Sequence, residues 1–178
     1  MTTKLIVGAA LAAIVALGST AFAQDKASQK FLKDAMEGNL AEVQIGQLAQ
    51  KNGNSEGVRS FGQMLVKDHS DANKKATEVA KKLGVTPPTE PNAKQKSLHD
   101  RLSKLTGARF DQEFVKEMVA DHKNDIREFE AEAKKTDPAG TFAKDTLPTL
   151  RKHLQTAESL APAPTTGRRY RAGWVASI

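Results

Sequence analysis

The chain has 178 residues, of which 39% are hydrophobic and 27% are charged, a balance typical of a soluble globular protein with a single domain. It contains no cysteine, which excludes disulfides and thiolate metal ligands. The formal net charge is +6, but Arg168, Arg169 and Arg171 lie together near the C-terminus, so the rest of the chain is only mildly basic and no nucleic-acid partner is expected.

The N-terminal segment has the pattern of a secretory signal. Lys4 precedes an apolar run over residues 5–17, and Ala21-Phe22-Ala23 forms a small-residue cleavage site. The run is too short to span a bilayer. The pattern predicts a signal peptide over residues 1–23, cleavage after Ala23, and a mature chain without a transmembrane segment in the periplasm or outside the cell.

Four long segments of the mature chain show helical periodicity, with apolar residues every three or four positions. They cover about residues 28–51, 55–83 and 109–135, and a fourth segment from Pro138 onwards. Ser55 and Asp137 are the predicted N-caps of the second and fourth segments. Pro148 is predicted to kink the fourth helix or to end its first part. The inner face of the first helix is drawn through Phe31, Ala35, Gly38, Glu42, Ile45 and Ala49.

The connection between the second and third long helices is about 25 residues long. Residues 84–92 contain three prolines. Residues 93–105 are predicted to form a short amphipathic helix, which Gly107 prevents from continuing. Such a connection can reach the far end of a bundle and make the flanking helices parallel. The predicted fold is an all-α, ferritin-like four-helix bundle over residues 24–161, with a short extra helix between helices 2 and 3.

The C-terminal segment changes in composition. Residues 162–167 are rich in proline and threonine, and the chain ends in RRYRAGWVASI. A stretch this short cannot bury a core of its own, so residues 162–178 are predicted to be a disordered linker and basic tail. Weak contact of the tail with an anionic membrane surface is the alternative role.

One stretch occurs twice. Residues 61–82 and 114–135 share seven identities over 22 positions without a gap, and both contain an Asp-His pair, Asp68-His69 and Asp121-His122. Both pairs fall midway along a long helical pattern. A repeat in the same register indicates a site between the two helices.

Three of the four histidines fall near the middle of three different long helices, and the first helix offers a glutamate at a comparable depth. The candidate metal ligands are Glu42, His69, His122 and His153, supported by Asp68 and Asp121. This set suits Fe, Mn, Cu or Zn. Three histidines with Glu42 make a mononuclear site, whereas all six residues approach a dinuclear one. The chain has no Glu-x-x-His spacing, so dinuclear iron oxidation is not the favoured chemistry.

A metal-free alternative uses the same residues. Buried carboxylates and imidazoles can satisfy one another by hydrogen bonds, and the protein is then a non-catalytic envelope stress or interaction module. No Gly-rich phosphate loop or nucleophile elbow is present. No catalytic residue is therefore assigned, and enzymatic activity, oligomeric state and partners other than a metal ion are left open.

Several segments resemble a large bacterial family of secreted ferritin-like proteins with a domain of unknown function. They are EGNLAEVQIGQLA, FGQMLVKDH, TGARFDQEFV, MVADH and LPTLRKHL. The resemblance covers about residues 27–160 and implies a ferritin-like four-helix bundle of unassigned biochemical role. It also implies that the recurring acidic and histidine positions of the family fall on Glu42, Asp68, His69, Asp121, His122 and His153.

Overall fold

The computed structural model describes the backbone of residues 12–161 and the side chains of residues 26–161. Over this range the protein is all-α, with five helices: α1 (Ala12–Asn52), α2 (Glu56–Lys82), α3 (Ala93–Ser103), α4 (Gly107–Glu132) and α5 (Pro138–Leu160). Helix α1 therefore extends through the predicted cleavage point. Residues 1–11 of the predicted signal and residues 162–178 of the predicted tail lie outside the described residues.

Local hydrogen bonds set where the helices begin. The Ser55 hydroxyl accepts a bond of 3.2 Å from the backbone N–H of Val58, and Asp137 accepts one of 2.7 Å from that of Gly140. Such caps satisfy N–H groups that have no partner within the helix and stabilise each helix by about 1 kcal/mol. The two predicted N-caps are confirmed.

Helix α5 continues through Pro148, so the prediction that this proline ends a first segment was wrong. Proline removes one helical hydrogen bond and crowds the preceding turn. Leu147 and Leu150 on either side are buried, and their packing holds the segment helical. Pro148 itself is exposed.

Contacts at the two ends of the bundle define the direction of each helix. At one end the Ser28 hydroxyl lies 2.8 Å from Glu132 Oε1 and 2.7 Å from Asp137 Oδ2. At the other end the Asp111 carboxylate accepts bonds of 2.8 Å from the backbone N–H groups of Asn54 and Ser55. Helices α1 and α5 therefore run in one direction, and α2 and α4 run in the other. The connection through α3 spans the length of the bundle.

Helices α1 and α2 approach closely where two glycines face each other. A Cβ placed on Gly46 would lie 2.7 Å from the carbonyl oxygen of Gly62, and one placed on Gly62 would lie 2.6 Å from that of Gly46. Both distances are shorter than van der Waals contact. The crossing of the two helices thus requires residues without side chains at these positions.

The core has two apolar clusters with a polar layer between them. The cluster near the Ser55 end includes Ile45, Phe61, Leu65, Phe110, Phe114 and Met118. The cluster near the Ser28 end includes Leu32, Met36, Phe129, Phe142, Leu147 and Leu150. The polar layer between them contains the buried residues Asn39, Glu42, His69, His122 and His153.

The inner face of α1 differs from the predicted one in its first half. Leu32, Met36 and Asn39 are buried, whereas the predicted Phe31, Ala35 and Gly38 are only partly buried. The two rows are adjacent on the helix surface, since neighbouring residues are about 100° apart. The predicted row was therefore one residue out of register here, although Glu42, Ile45 and Ala49 are buried as expected.

Candidate metal centre

Helices α2, α4 and α5 bring His69, His122 and His153 together in the polar layer. Their relative exposures are 4%, 0% and 0%, and the distances between the ring centroids are 5.2 to 5.8 Å. One ring nitrogen of each histidine lies within 4.8 Å of the others. We refer to these three residues as the histidine triad.

Each ring of the triad uses one nitrogen as a hydrogen-bond donor. His69 Nδ1 lies 2.9 Å from Asn39 Oδ1, and His122 Nδ1 lies 3.0 Å from the backbone carbonyl of Met118. His153 Nε2 lies 3.0 Å from Asp68 Oδ2. The Met118 carbonyl and the Asp68 carboxylate can only accept, so these two contacts place the single proton of a neutral ring on His122 Nδ1 and His153 Nε2. With the Asn39 amide oriented as in the structure, where its Oδ1 faces the ring and its nitrogen has no partner among the described residues, the proton of His69 lies on Nδ1.

The remaining three nitrogens carry lone pairs. His122 Nε2 and His153 Nδ1 are 3.3 Å apart, and in these tautomers no proton lies between them. His69 Nε2 is buried and has no hydrogen-bond partner among the described residues. The centre of the triad is therefore an assembly of acceptors without a donor.

Burial keeps these rings neutral. It lowers the pKa of His69 well below the usual 6.5, and the neighbouring His122 and His153 lower it further. Burial also lowers the pKa of His122 to about 4. The pKa of His153 is lowered by burial against the opposing effect of the Asp68 carboxylate. At neutral pH all three rings are in the form that can bind a metal ion.

The surroundings of the triad are closed on most sides. The Phe61 ring packs against His122 and His153, with centroid distances of 6.4 and 6.0 Å. Asp68 reaches the surface, where 22% of its side chain is exposed and Lys67 Nζ lies 3.6 Å from its other oxygen. Among the residues that contact the triad, Asp68 thus connects His153 with solvent.

The other two predicted ligands, Glu42 and Asp121, lie apart from the lone pairs of the triad. Glu42 is buried, and its Oε1 is 3.9 Å from His122 Nδ1, the nitrogen already bonded to Met118. Asp121 is exposed on α4, and its negative charge adds to the effect of burial in raising the pKa of the Glu42 carboxyl. The two members of the Asp-His repeat therefore differ, because Asp68 bonds to a histidine of the triad and Asp121 lies on the exposed surface of α4.

Two of the groups that position the triad are not among the residues predicted from the sequence. Asn39 lies three residues before Glu42, a helical spacing that places both on one face of α1, and this signal was available. The second is the backbone carbonyl of Met118. Any helical residue four positions before a histidine offers a carbonyl, so the sequence carries no distinguishing signal for it.

None of the helices in the part of the chain that the structure describes is long and apolar enough to cross a membrane. No curated protein matches the chain. A solved structure described as a DUF305 fragment from Deinococcus radiodurans is similar, with a TM-score of 0.67 and 12% sequence identity. The similarity covers 75% of this chain and 94% of that chain. At this identity the similarity concerns the fold alone.

Residues 16–160 match the model of a protein family described as a domain of unknown function, DUF4142. The match includes all of α2 to α5, most of α1, and therefore the whole polar layer. The chain belongs to the DUF4142 family.

Proposed function

We propose that the protein binds a transition-metal ion through the histidine triad. The ligand atoms are His69 Nε2, His122 Nε2 and His153 Nδ1. The observation that supports this most directly is the approach of two ring nitrogens, His122 Nε2 and His153 Nδ1, to 3.3 Å in tautomers that place no proton between them.

This distance suits two ligands of one ion. Imidazole nitrogens bind Zn²⁺ at about 2.0–2.1 Å, so two of them on a tetrahedral ion are about 3.3–3.4 Å apart. His69 completes three ligands after a small side-chain movement, because one of its ring nitrogens already lies within 4.8 Å of a ring nitrogen of each of the other two histidines. Three neutral nitrogens favour Zn²⁺ or copper, with iron next, over Mn²⁺, which prefers carboxylates.

The groups behind the rings match those of protein metal sites. Histidine ligands usually donate their second N–H to a carboxylate or a carbonyl, which fixes the ring and raises the basicity of the ligand nitrogen. Here Asp68, Asn39 and the Met118 carbonyl fill this role for one ring each. Asp68 and Asn39 thus act as positioning residues.

The metal-free alternative leaves the triad incompletely bonded. A proton between His122 and His153 requires that His122 give up its bond to Met118, that His153 give up its bond to Asp68, or that one ring become charged. Each of the first two leaves an acceptor oxygen facing a ring lone pair, which costs about 1–3 kcal/mol where the oxygen is buried. The third is opposed by burial, which lowers the pKa of both rings. A metal ion removes these difficulties.

We further propose that the bundle is ferritin-like and that the mature chain begins at Gln24 in the periplasm or outside the cell. In support, α2 and α4 run parallel, and the first side chain buried in the described part of α1 is Ser28, which lies after the predicted cleavage point. A buried metal site in an exported protein fits metal handling or protection against oxidative stress in the envelope.

The test is elemental analysis of mature protein purified without an affinity tag, followed by Co²⁺ titration of the metal-free protein. One equivalent of metal and visible absorption bands typical of tetrahedral Co²⁺ are expected. His153→Gln should lose both. His99→Gln is the matched control, because His99 is partly exposed on α3 and outside the triad. If the bands persist in His153→Gln, or if the parent protein takes up no Co²⁺, the proposal is wrong.

A further inference from the structure

We propose that the N-terminus of the mature chain is a modification site, at which Gln24 cyclises to pyroglutamate, a five-membered lactam. The modification rests on the proposed cleavage after Ala23, which makes Gln24 the first residue of the mature chain. It does not depend on the metal site.

The reaction uses atoms of Gln24 alone. The neutral α-amino nitrogen attacks the side-chain amide carbon Cδ, and a new bond between these two atoms closes the ring. The bond from Cδ to the amide nitrogen breaks, and that nitrogen leaves as ammonia with the proton that the α-amino nitrogen loses. No atom is oxidised or reduced, and no co-reactant is needed. Before cleavage the same nitrogen belongs to the peptide bond with Ala23, so cleavage is the event that makes it a nucleophile.

Packing of the bundle begins after the residue that reacts. The backbone of α1 includes Gln24, but Lys26 and Ala27 are exposed, and Ser28 is the first buried side chain in the described part of the helix. Ser28 is held by hydrogen bonds to Glu132 and Asp137 at the end of the bundle. The new terminus therefore lies one helical turn before the first residue that the bundle fixes in place.

A pyroglutamate suits the first position of a helix. The first four backbone N–H groups of a helix have no acceptor within it, so conversion of this amine to a lactam removes no helical bond. The bond between the backbone nitrogen and Cδ is the one that closes the ring of proline, and proline is favoured at the first helical position because its fixed φ fits there. The Gln24 carbonyl takes no part in the reaction and still accepts from the N–H group of Ser28 in the helix.

Cyclisation also removes a positive charge from the end of the helix where such a charge is unfavourable. The N-terminus of a helix carries the positive end of its dipole, and Lys26 adds a further positive charge within the first turn of the mature helix. A free α-ammonium group would add to both, whereas a lactam is neutral. We expect the modified chain to resist aminopeptidases that require a free α-amino group.

The test is mass spectrometry of the N-terminal peptide of mature protein, exported with its own signal and purified without a tag. A glutamate-specific protease releases residues 24–37, since Glu37 is the first glutamate after the cleavage point. Before digestion the protein is treated with an amine-acylating reagent. A synthetic peptide of residues 24–37 with a free N-terminal glutamine is carried through the same steps to measure cyclisation during handling.

The peptide from the protein should be lighter by one ammonia molecule and unacylated at its α-nitrogen, whereas most of the synthetic peptide should keep its full mass. Gln24→Asn is the matched control: its ring would have only four members, so this variant should keep a free, acylated α-amino group. A free α-amino group on Gln24, or no more cyclisation than in the synthetic peptide, overturns the proposal and leaves the proposed cleavage intact. A mature chain that begins at another residue overturns both.

Discussion

Acidification should destabilise the metal-free protein through the buried His122. The pKa of this ring is about 4 in the folded protein against 6.5 for an ordinary histidine, because burial disfavours its charged form. Between these two values the unfolded chain binds a proton that the folded protein does not. The free energy of unfolding therefore falls as the pH decreases from about 6.5 to about 4.

The expected loss is large compared with the stability of a domain of this size. Each pKa unit corresponds to about 1.4 kcal/mol, so the decrease of the His122 pKa from 6.5 to about 4 lowers the free energy of unfolding by roughly 3 kcal/mol at pH 4. Total stabilities are commonly about 5–15 kcal/mol. His69 and His153 act in the same direction, since their pKa values are also lowered. Glu42 acts in the opposite direction: its pKa is raised, so its contribution becomes more favourable as the pH falls towards about 4.5.

The assay is urea denaturation, followed by far-UV circular dichroism, at several pH values from 7 to 4 with a chelator present. It compares Glu42→Gln with Glu42→Gln/His122→Gln, so that the opposing contribution of Glu42 is absent from both proteins. Between pH 7 and pH 4 the free energy of unfolding of Glu42→Gln should fall by roughly 3 kcal/mol more than that of Glu42→Gln/His122→Gln, whatever the absolute stability of the two proteins. In the control Glu42→Gln/His99→Gln, the free energy of unfolding should fall by about as much as in Glu42→Gln. If both proteins show the same pH dependence, His122 is not held neutral by burial.

Two further substitutions test the positioning of the triad and the packing of the helices. Asp68→Asn should weaken metal binding about 10- to 100-fold. It should change the free energy of unfolding by less than about 1 kcal/mol, because Asp68 is partly exposed. Isothermal titration calorimetry with Zn²⁺ measures the affinity, and an unchanged affinity would show that the bond from His153 to Asp68 does not contribute to metal binding. Gly46→Ala should destabilise the protein by about 1–3 kcal/mol, because the added methyl group meets the Gly62 carbonyl at 2.7 Å. Gly38→Ala is the control within the same helix, because the atom nearest to its added methyl group would be 3.9 Å away. The better helix propensity of alanine should then stabilise the protein by up to about 1 kcal/mol. In thermal unfolding, the midpoint temperature should decrease for Gly46→Ala and increase for Gly38→Ala.

Local features of the sequence were sufficient to predict the helices. Capping depends on a side chain and a backbone group three residues apart, so Ser55 and Asp137 were identifiable without any tertiary information. Helical periodicity likewise placed His69, His122 and His153 on inner faces. Pro148 shows the limit of local reasoning, because packing on either side keeps the helix continuous through it.

The sequence by itself determined that Glu42 and the three histidines of the triad share the polar layer. The tertiary structure added Asn39 and decided what each of these residues contacts. Asp68 and Asp121 occupy equivalent positions of the repeat, yet Asp68 bonds to His153 of α5, whereas Asp121 is exposed and its negative charge adds to burial in raising the pKa of Glu42 on α1. The spacing of a repeat specifies the direction of a side chain relative to its own helix. The partner of that side chain depends on which neighbouring helix lies in that direction, and this follows only from the arrangement of all the helices around one core.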